Sequence, residues 1–407
     1  MTNKPIVYWA SPIEVAALRS DAKIMSTNNL VKTRLILDKI LDNIQAGDKV
    51  AVKVHVGEAQ NTRYLRPDYV REVVDAIKSK DAIPTLIETQ GLGLRARKID
   101  ISEDYYVCIN HRANPADHAK IANLHGYNES VIGAPLQFID GEDGTDGKKI
   151  QIDGIHFKDV SVATGLFKFD KMVVISHFKG HPQATFGGAL KQLGIGCVTK
   201  RNKFLAHMGK LPKILSRKCD ITTCNQECIE SCSVKAISIE NDSAVINQDL
   251  CYGCLKCMLK CPHKKKKSPI KNPSMILGDA FVERFIDNAL AVMTSFGPEN
   301  IRYINFAFDV VVMCDCVSNP GPPVVPDLGI FGSTDPVAID KACVDTEINA
   351  PGLPILEKDG TWREPEPPGV EKFKASSPLS EMLGYQMQFN ASLKNKIGST
   401  DYELIKI

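Results

Sequence analysis

Apolar residues recur along this chain with two periods, and the two alternate. Pro5–Ala10 is a short apolar run of strand type. Leu30, Leu37, Ile40, Leu41 and Ile44 recur at helical spacing, broken on that face only by Thr33, and the run closes near Gly47. Lys49–Val56 then alternates apolar and polar positions like a strand. Pro67-Asp68 opens an amphipathic helix over Tyr69–Lys78, with proline in its first turn. Ile83–Glu88 is a further strand. Strand, helix and strand at this spacing predict a βαβ unit and a parallel sheet.

Between Thr89 and Gly154 the pattern loosens. A helix is expected around Pro115–Leu124 and a polar loop over Gly141–Lys149. Ile150–Ile155, Val160–Ala163 and Lys171–Ser176 predict strands. Gly187-Gly188 opens a short helix that Gly194 is expected to stop. Further on, Ala280–Thr294 predicts a helix and Ile301–Met313 a strand. Ser318–Asp327 is a proline-rich loop. Asp335 caps a helix over Val337–Glu347 with Pro336 at its first position. Leu379–Leu393 and Tyr402–Ile407 predict a last helix and an edge strand. The expected fold is an α/β body, a mostly parallel sheet with flanking helices, contributed by residues 1–218 and 268–407. A small ferredoxin-like α+β module of residues 219–267 interrupts it.

That insert carries the clearest chemistry. Cys251, Cys254, Cys257 and Cys261 follow the C-x-x-C-x-x-C-x-x-x-C-P run, ending at Pro262. Two-residue gaps let a tight turn aim three thiolates at one cube, and the fourth thiolate ligates the other cluster in two-cluster ferredoxins. Cys219, Cys224, Cys228 and Cys232 form a second run with wider gaps, and Ser233 stands where proline would. Read with the crossover, Cys232 joins Cys251, Cys254 and Cys257, while Cys261 joins Cys219, Cys224 and Cys228. Two 4Fe–4S clusters are the expectation. The alternatives are zinc, which C-x-x-C pairs also bind, and a lone cluster with spare thiols.

Composition narrows the setting. Fifty basic side chains against 48 acidic give a net charge of +2, so nothing global demands nucleic acid. Thirteen cysteines, mostly in cluster spacing, point to a reducing compartment rather than a disulfide framework. No basic-then-apolar leader opens the sequence, and no long uncharged apolar stretch predicts a membrane span. A cytoplasmic protein is expected.

A second constellation collects at the ends of predicted strands. His177, Lys179 and His181 follow one strand, and Cys314 and Cys316 follow another. Ligands of open α/β sheets bind at the carboxyl ends of strands. His177 and His181, separated by Phe178-Lys179-Gly180, do not read as a helical zinc pair. They are candidate proton donors or metal ligands, or simply hydrogen-bonded loop imidazoles. Lys179 and Lys191 are candidates for holding an anion, helped by free amides at the Gly187-Gly188 helix start. The alternative for those glycines is close packing. Gly194 and Gly196 lack the third glycine and preceding strand of a dinucleotide fingerprint. Cys314 and Cys316 read as ligands of an additional metal, a redox-active thiol pair, or buried structural thiols. Arg112, His118, His207 and Lys210 are further candidates. Asp340 and Lys341 read as a solvated or paired helix face. Lys260 and Lys264–Lys267 form either a solvated loop or a docking patch for an acidic redox partner of ferredoxin or flavodoxin type.

The segments HFKGHPQATFGGALKQLGIGC, RNKFLAHMGK, the cysteine insert, and MCDC followed by PDLGIFGSTDPVAIDKACVD resemble the domain-of-unknown-function 362 family of iron–sulfur proteins. The ending GSTDYELIKI is similar too. The widened Cys219–Cys228 gaps, Ser233 and the lysine run after Cys261 depart from the pattern. The resemblance implies cluster ligation by the insert and leaves the activity open. The leading expectation is an iron–sulfur oxidoreductase component passing single electrons to a substrate or second cofactor in the α/β body. A delivery or maturation protein that docks a partner enzyme is the rival. A structural or sensory role for the clusters, with the body binding a ligand, is a third reading.

Overall fold

Eight strands drawn from both sides of the cysteine insert form one sheet in this computed structural model, which describes residues 4–12, 28–93, 97–103, 106–263, 268–357, 359–375 and 383–407. They are β1 (Ile6–Ala10), β2 (Lys49–Lys53), β3 (Ile83–Glu88), β4 (Leu136–Phe138), β5 (Lys171–His177), β6 (Ile301–Ala307), β7 (Gly329–Ser333) and β8 (Glu403–Lys406). Their order is β8-β1-β7-β6-β5-β2-β3-β4. Only β7 runs antiparallel to its neighbours, β1 and β6. All other adjacent pairs are parallel, which makes the expected mostly parallel α/β sheet.

Helices cover both faces. α1 (Asn29–Ile40) and α2 (Pro67–Lys78) pack on one side. α3 (Ala189–Gly196), α5 (Asp279–Phe296) and α6 (Pro336–Asn349) pack on the other, with α4 (Lys200–Met208) and α7 (Gln386–Lys394) beyond them. The alternation of β5 explains the layering. Val173 and Ile175 join the α1/α2 core, and Met172 and Val174 join the α3/α5/α6 core. On α2, Val70, Val73, Val74 and Ile77 are fully buried. Each such side chain stabilises the fold by about 1.5–3 kcal/mol.

Three expectations change. The run expected to be strand to Met313 leaves the sheet after Ala307. Asp309 adopts a left-handed φ of 48° and its N–H donates to Asp327 Oδ1, so the chain turns there. Cys314 therefore sits on a loop that folds back over the strand ends. Gly194 does not stop its helix, which runs on to Gly196. A Cβ at Gly194 would lie 2.0 Å from the Phe285 carbonyl oxygen, so the glycine admits α5. Ile150–Ile155 and Val160–Ala163 become a hairpin of Gly147–Gln151 with Asp159–Ala163, separate from the main sheet. Tyr402–Ile407 does supply an edge strand, β8.

The cysteine insert leaves and re-enters the body at a neck where Lys213–Ile214 pairs with Ile270–Lys271. It holds a hairpin, Ile237–Glu240 with Ser243–Ile246, and two short helices, Glu227–Glu230 and Lys256–Lys260. The neck lies outside the 219–267 span expected from the cysteines. Lys260 is exposed, 3.9 Å from Glu227, while Lys264–Lys267 lie outside the described residues. Part of the expected 379–393 helix does as well; its described part is α7. No helix among the described residues is long and apolar enough to cross a membrane.

Candidate functional site

The carboxyl ends of β2, β3 and β5 open into one cavity of about 330 Å³. β3 brings Glu88, Thr89 and Gln90, and β5 brings Ser176 and His177. The loop after β6 brings Cys314, Asp315 and Cys316. α3 supplies Lys191 and Gln192, and α4 supplies Lys203 and His207. The structure thus gathers His177, Lys179, His181, Gly187, Gly188, Lys191, Arg112, His207, Cys314 and Cys316 on one wall system. His118 is fully buried behind it, with Nε2 3.9 Å from Glu88 Oε1, and Lys210 is exposed outside it.

Asp315 organises the charges. One oxygen sits 2.9 Å from His177 Nδ1 and the other 2.9 Å from Lys179 Nζ. Burial alone would raise the Asp315 carboxyl; His177 and Lys179 outweigh it and hold the group far below the usual carboxylate range. His177 Nε2 lies 2.8 Å from the Phe308 carbonyl oxygen. Both ring nitrogens of His177 therefore face oxygen atoms of the protein, so the ring expected to serve as a proton donor or metal ligand is engaged on both sides within the fold. Lys179 is likewise neutralised by Asp315 and also donates to the His177 carbonyl.

The helix start at Gly187-Gly188 is corrected too. Asp340 is fully buried and accepts the Ala189 N–H at 2.7 Å and the Leu190 N–H at 3.0 Å. Those amides are not available to an anion, and Asp340 is no solvated face; burial pushes its carboxyl up to about 6. Gly187 lies beside the Lys191 stem, where a Cβ would come 3.3 Å from its Cδ. Asp335 caps α6 as expected, accepting from Val337 and Ala338.

Other cavity groups are less committed. Lys191 has no hydrogen-bond or ion-pair partner among the described residues, and burial, reinforced by the Lys179 charge, pushes its amine down to about 7. The Gln183 N–H donates to His181 Nδ1 at 3.2 Å, which leaves the proton of the neutral ring on Nε2. His207 Nδ1 is 2.7 Å from the Lys203 carbonyl, so its Nε2 carries the lone pair; burial pushes it down to about 4. Gln90 is fully buried with both side-chain amide atoms unpartnered, and Ser176 Oγ and Glu88 Oε1 are also without hydrogen-bond partners among the described residues. Burying such groups unpaired costs roughly 1–3 kcal/mol each.

Several of these residues escape the sequence reading. Asp315 stood between two singled-out cysteines. Lys203, which gave no signal of its own, lies four residues before the candidate His207 on α4 and shares a face with it. Glu58, which pairs with Arg112 at 3.5 Å, and Lys53, which pairs with Glu88 at 2.8 Å, gave no local signal.

The insert holds two smaller cavities. Cys219, Cys224, Cys228 and Cys261 line one; Cys232, Cys251, Cys254 and Cys257 line the other. Burial raises the Cys257 thiol to about 12, with Cys254 and Cys251 adding to the shift. Burial likewise raises Cys228, followed by Cys219, Cys261 and Cys224. Crowded thiols that resist ionising are relieved by a bound cation. Among the described residues no three His, Cys, Asp or Glu side chains close around a point as a single metal ion requires. Cys314 and Cys316 are bonded to each other as a disulfide, with Cα atoms 5.3 Å apart. In that form neither is a metal ligand.

α4 joins the two regions. Arg201 donates to the Gln248 and Cys251 carbonyls, and the Phe204 ring lies against Gly253, where any Cβ would come within 2.3 Å. Lys203 and His207 of the same helix line the cavity.

A lactate racemase apoprotein from Thermoanaerobacterium thermosaccharolyticum is among the solved structures similar to this chain, at 10% identity and a TM-score of 0.32, over 68% of this chain and 49% of that one. The chain thus spans about half the length of that structure, and so slight a likeness has no bearing on activity. No curated protein matches. Residues 50–345 match the model of the family described as Domain of unknown function (DUF362), and the chain belongs to that family.

Proposed function

We propose that this protein is an iron–sulfur electron-transfer oxidoreductase component, in which the cysteine insert passes electrons to a ligand held in the α/β cavity. The observation that carries the reading is α4, which touches the Cys251–Cys254 segment on one side and lines the cavity on the other. A helix with its side chains is about 10–12 Å across, so the two sites are near neighbours. The donor sets fit: each small cavity is lined by four thiols, three from one run and the last from the other. When bound, 4Fe–4S clusters would supply one-electron chemistry.

The remaining roles belong to the chain. Lys191 offers the one cavity ammonium left without a carboxylate among the described residues, and would seat an anionic group of the ligand. His181 offers an N–H and His207 a lone pair. Gln90 and Ser176 would take up the ligand's remaining polar groups. Asp315 fixes the wall opposite by holding His177 and Lys179. A small acidic carrier of ferredoxin or flavodoxin type is the proposed electron donor, docking with salt-sensitive kinetics.

The test is iron and acid-labile sulfide per chain in protein purified without oxygen. About eight of each supports two clusters. Zinc in place of iron, or no sulfide, would sink the reading.

A further inference from the structure

The Cys314–Cys316 disulfide is a redox-capable group on the cavity wall. Cys314 is buried and Cys316 exposed, so the bond bridges the cavity interior and its mouth. A structural role explains it poorly. A bond between residues two apart closes a very short loop, and the stabilisation from a disulfide is smallest for short loops. The loop is already held without it. Asp315 is clamped by His177 and Lys179, and its carbonyl accepts the Glu58 N–H at 2.8 Å. The Val317 N–H donates to the Cys314 carbonyl, and Asn61 Nδ2 donates to the Val317 carbonyl.

The clamp has a chemical consequence. With the backbone on both sides fixed, the two sulfurs stay close after the bond opens, and reclosure is intramolecular and fast. Lys191, which has no ion-pair partner among the described residues, lines the same cavity, and a positive neighbour favours the thiolate form. The Lys203/His207 face of α4, whose helix also contacts the insert, lines this cavity too.

We propose that Cys314 and Cys316 are a reversible two-electron couple that stores reducing equivalents beside the ligand. The S–S bond breaks and two S–H bonds form. Two electrons arrive one at a time from reduced iron–sulfur clusters in the insert, and two protons arrive from solvent through the cavity mouth. Reoxidation passes both electrons and both protons to the bound ligand, an anionic two-electron acceptor that is reduced as the S–S bond re-forms. The inference rests on the cluster reading above.

Differential alkylation tests it on the full chain, purified without oxygen. Free thiols are blocked with one mass label, a reductant is added, and newly opened thiols take a second label. A phosphine is expected to add the second label at both Cys314 and Cys316, in wild type and in Cys254→Ala alike, and a cooperative urea transition like that of wild type shows that the variant's body is folded. Reduced methyl viologen, a one-electron donor, is expected to label both residues in wild type and to lose that effect in Cys254→Ala. First-label capture of Cys314 and Cys316 before any reductant would overturn the couple. So would a cluster-loaded chain in which viologen leaves the bond closed, or equal viologen labelling in the variant. A wild-type chain free of iron and sulfide would instead overturn the cluster reading, while the phosphine arm would still decide whether the pair opens.

Discussion

Ten of the thirteen cysteines are found in two settings built on different logic. In the insert, eight thiols line two small cavities on a scaffold of one hairpin and two short helices, around a small core that includes Ile237, Ala244, Ile246 and Ile270. In the body, two cysteines sit on a loop over the ends of the sheet, held by the buried Asp315 carboxylate and its partners His177 and Lys179. The insert has only a small apolar core, and a metal or cluster bound by its thiols would add to its folding energy. The body rests on two large buried cores, one on each face of its sheet. Substitutions in the two settings should therefore fail in different ways.

The largest effect is expected in the insert. Cys254→Ala and Cys228→Ala should each lower iron from about eight to about four per chain, one from each cavity, as read by iron and sulfide analysis. Equal loss of all iron in both variants would mean that the two sites do not bind independently.

In the body, Asp315→Asn leaves His177 and Lys179 buried without their carboxylate. Breaking a buried pair in this way costs about 3–5 kcal/mol, read as a lower urea midpoint. The pH dependence follows from the depressed Asp315 carboxyl. Its contribution is fully present above the unfolded value of about 3.9 and is lost as pH falls towards the folded value. Stability of wild type should therefore fall below about pH 4, and Asp315→Asn should flatten that acid limb.

Lys191→Met should act with the opposite sign. A folded amine at about 7 against an unfolded value near 10.4 means that the unfolded chain binds the extra proton between those values. Wild-type stability should rise with pH through that window. The variant should gain about 1–3 kcal/mol below pH 7, losing this part of the pH dependence and weakening anion binding. The smallest change is expected for Lys260→Gln, on the insert surface, within about 0.5 kcal/mol. Its test is the salt dependence of reduction by an acidic carrier.

The elements were legible where the pattern was long and local. β2, α2 and β3 lie where alternation and helical spacing put them, and Asp335 caps α6 as its sequence predicts. β7 escaped because Gly329–Ser333 is short and glycine-rich, and it exists only by pairing with β1 and β6. Gly332 is there for contact: a Cβ would meet Ile36 at 2.4 Å. The long apolar run after β6 misled because Val310 and Val311 are buried under a loop rather than in the sheet.

What the sequence by itself determined is what neighbouring residues do together: strand and helix periods, helix caps, and eight thiols held in two closely spaced runs. What only the tertiary structure decided is which distant groups meet. His177 and Asp315 are 138 residues apart, and Asp340 reaches the α3 amides across 150. No local pattern encodes such pairings, because the sheet order and the packing of its helices bring those residues together. That convergence is what separates Lys179 and His177, both held by Asp315, from Lys191, which has no ion-pair partner among the described residues.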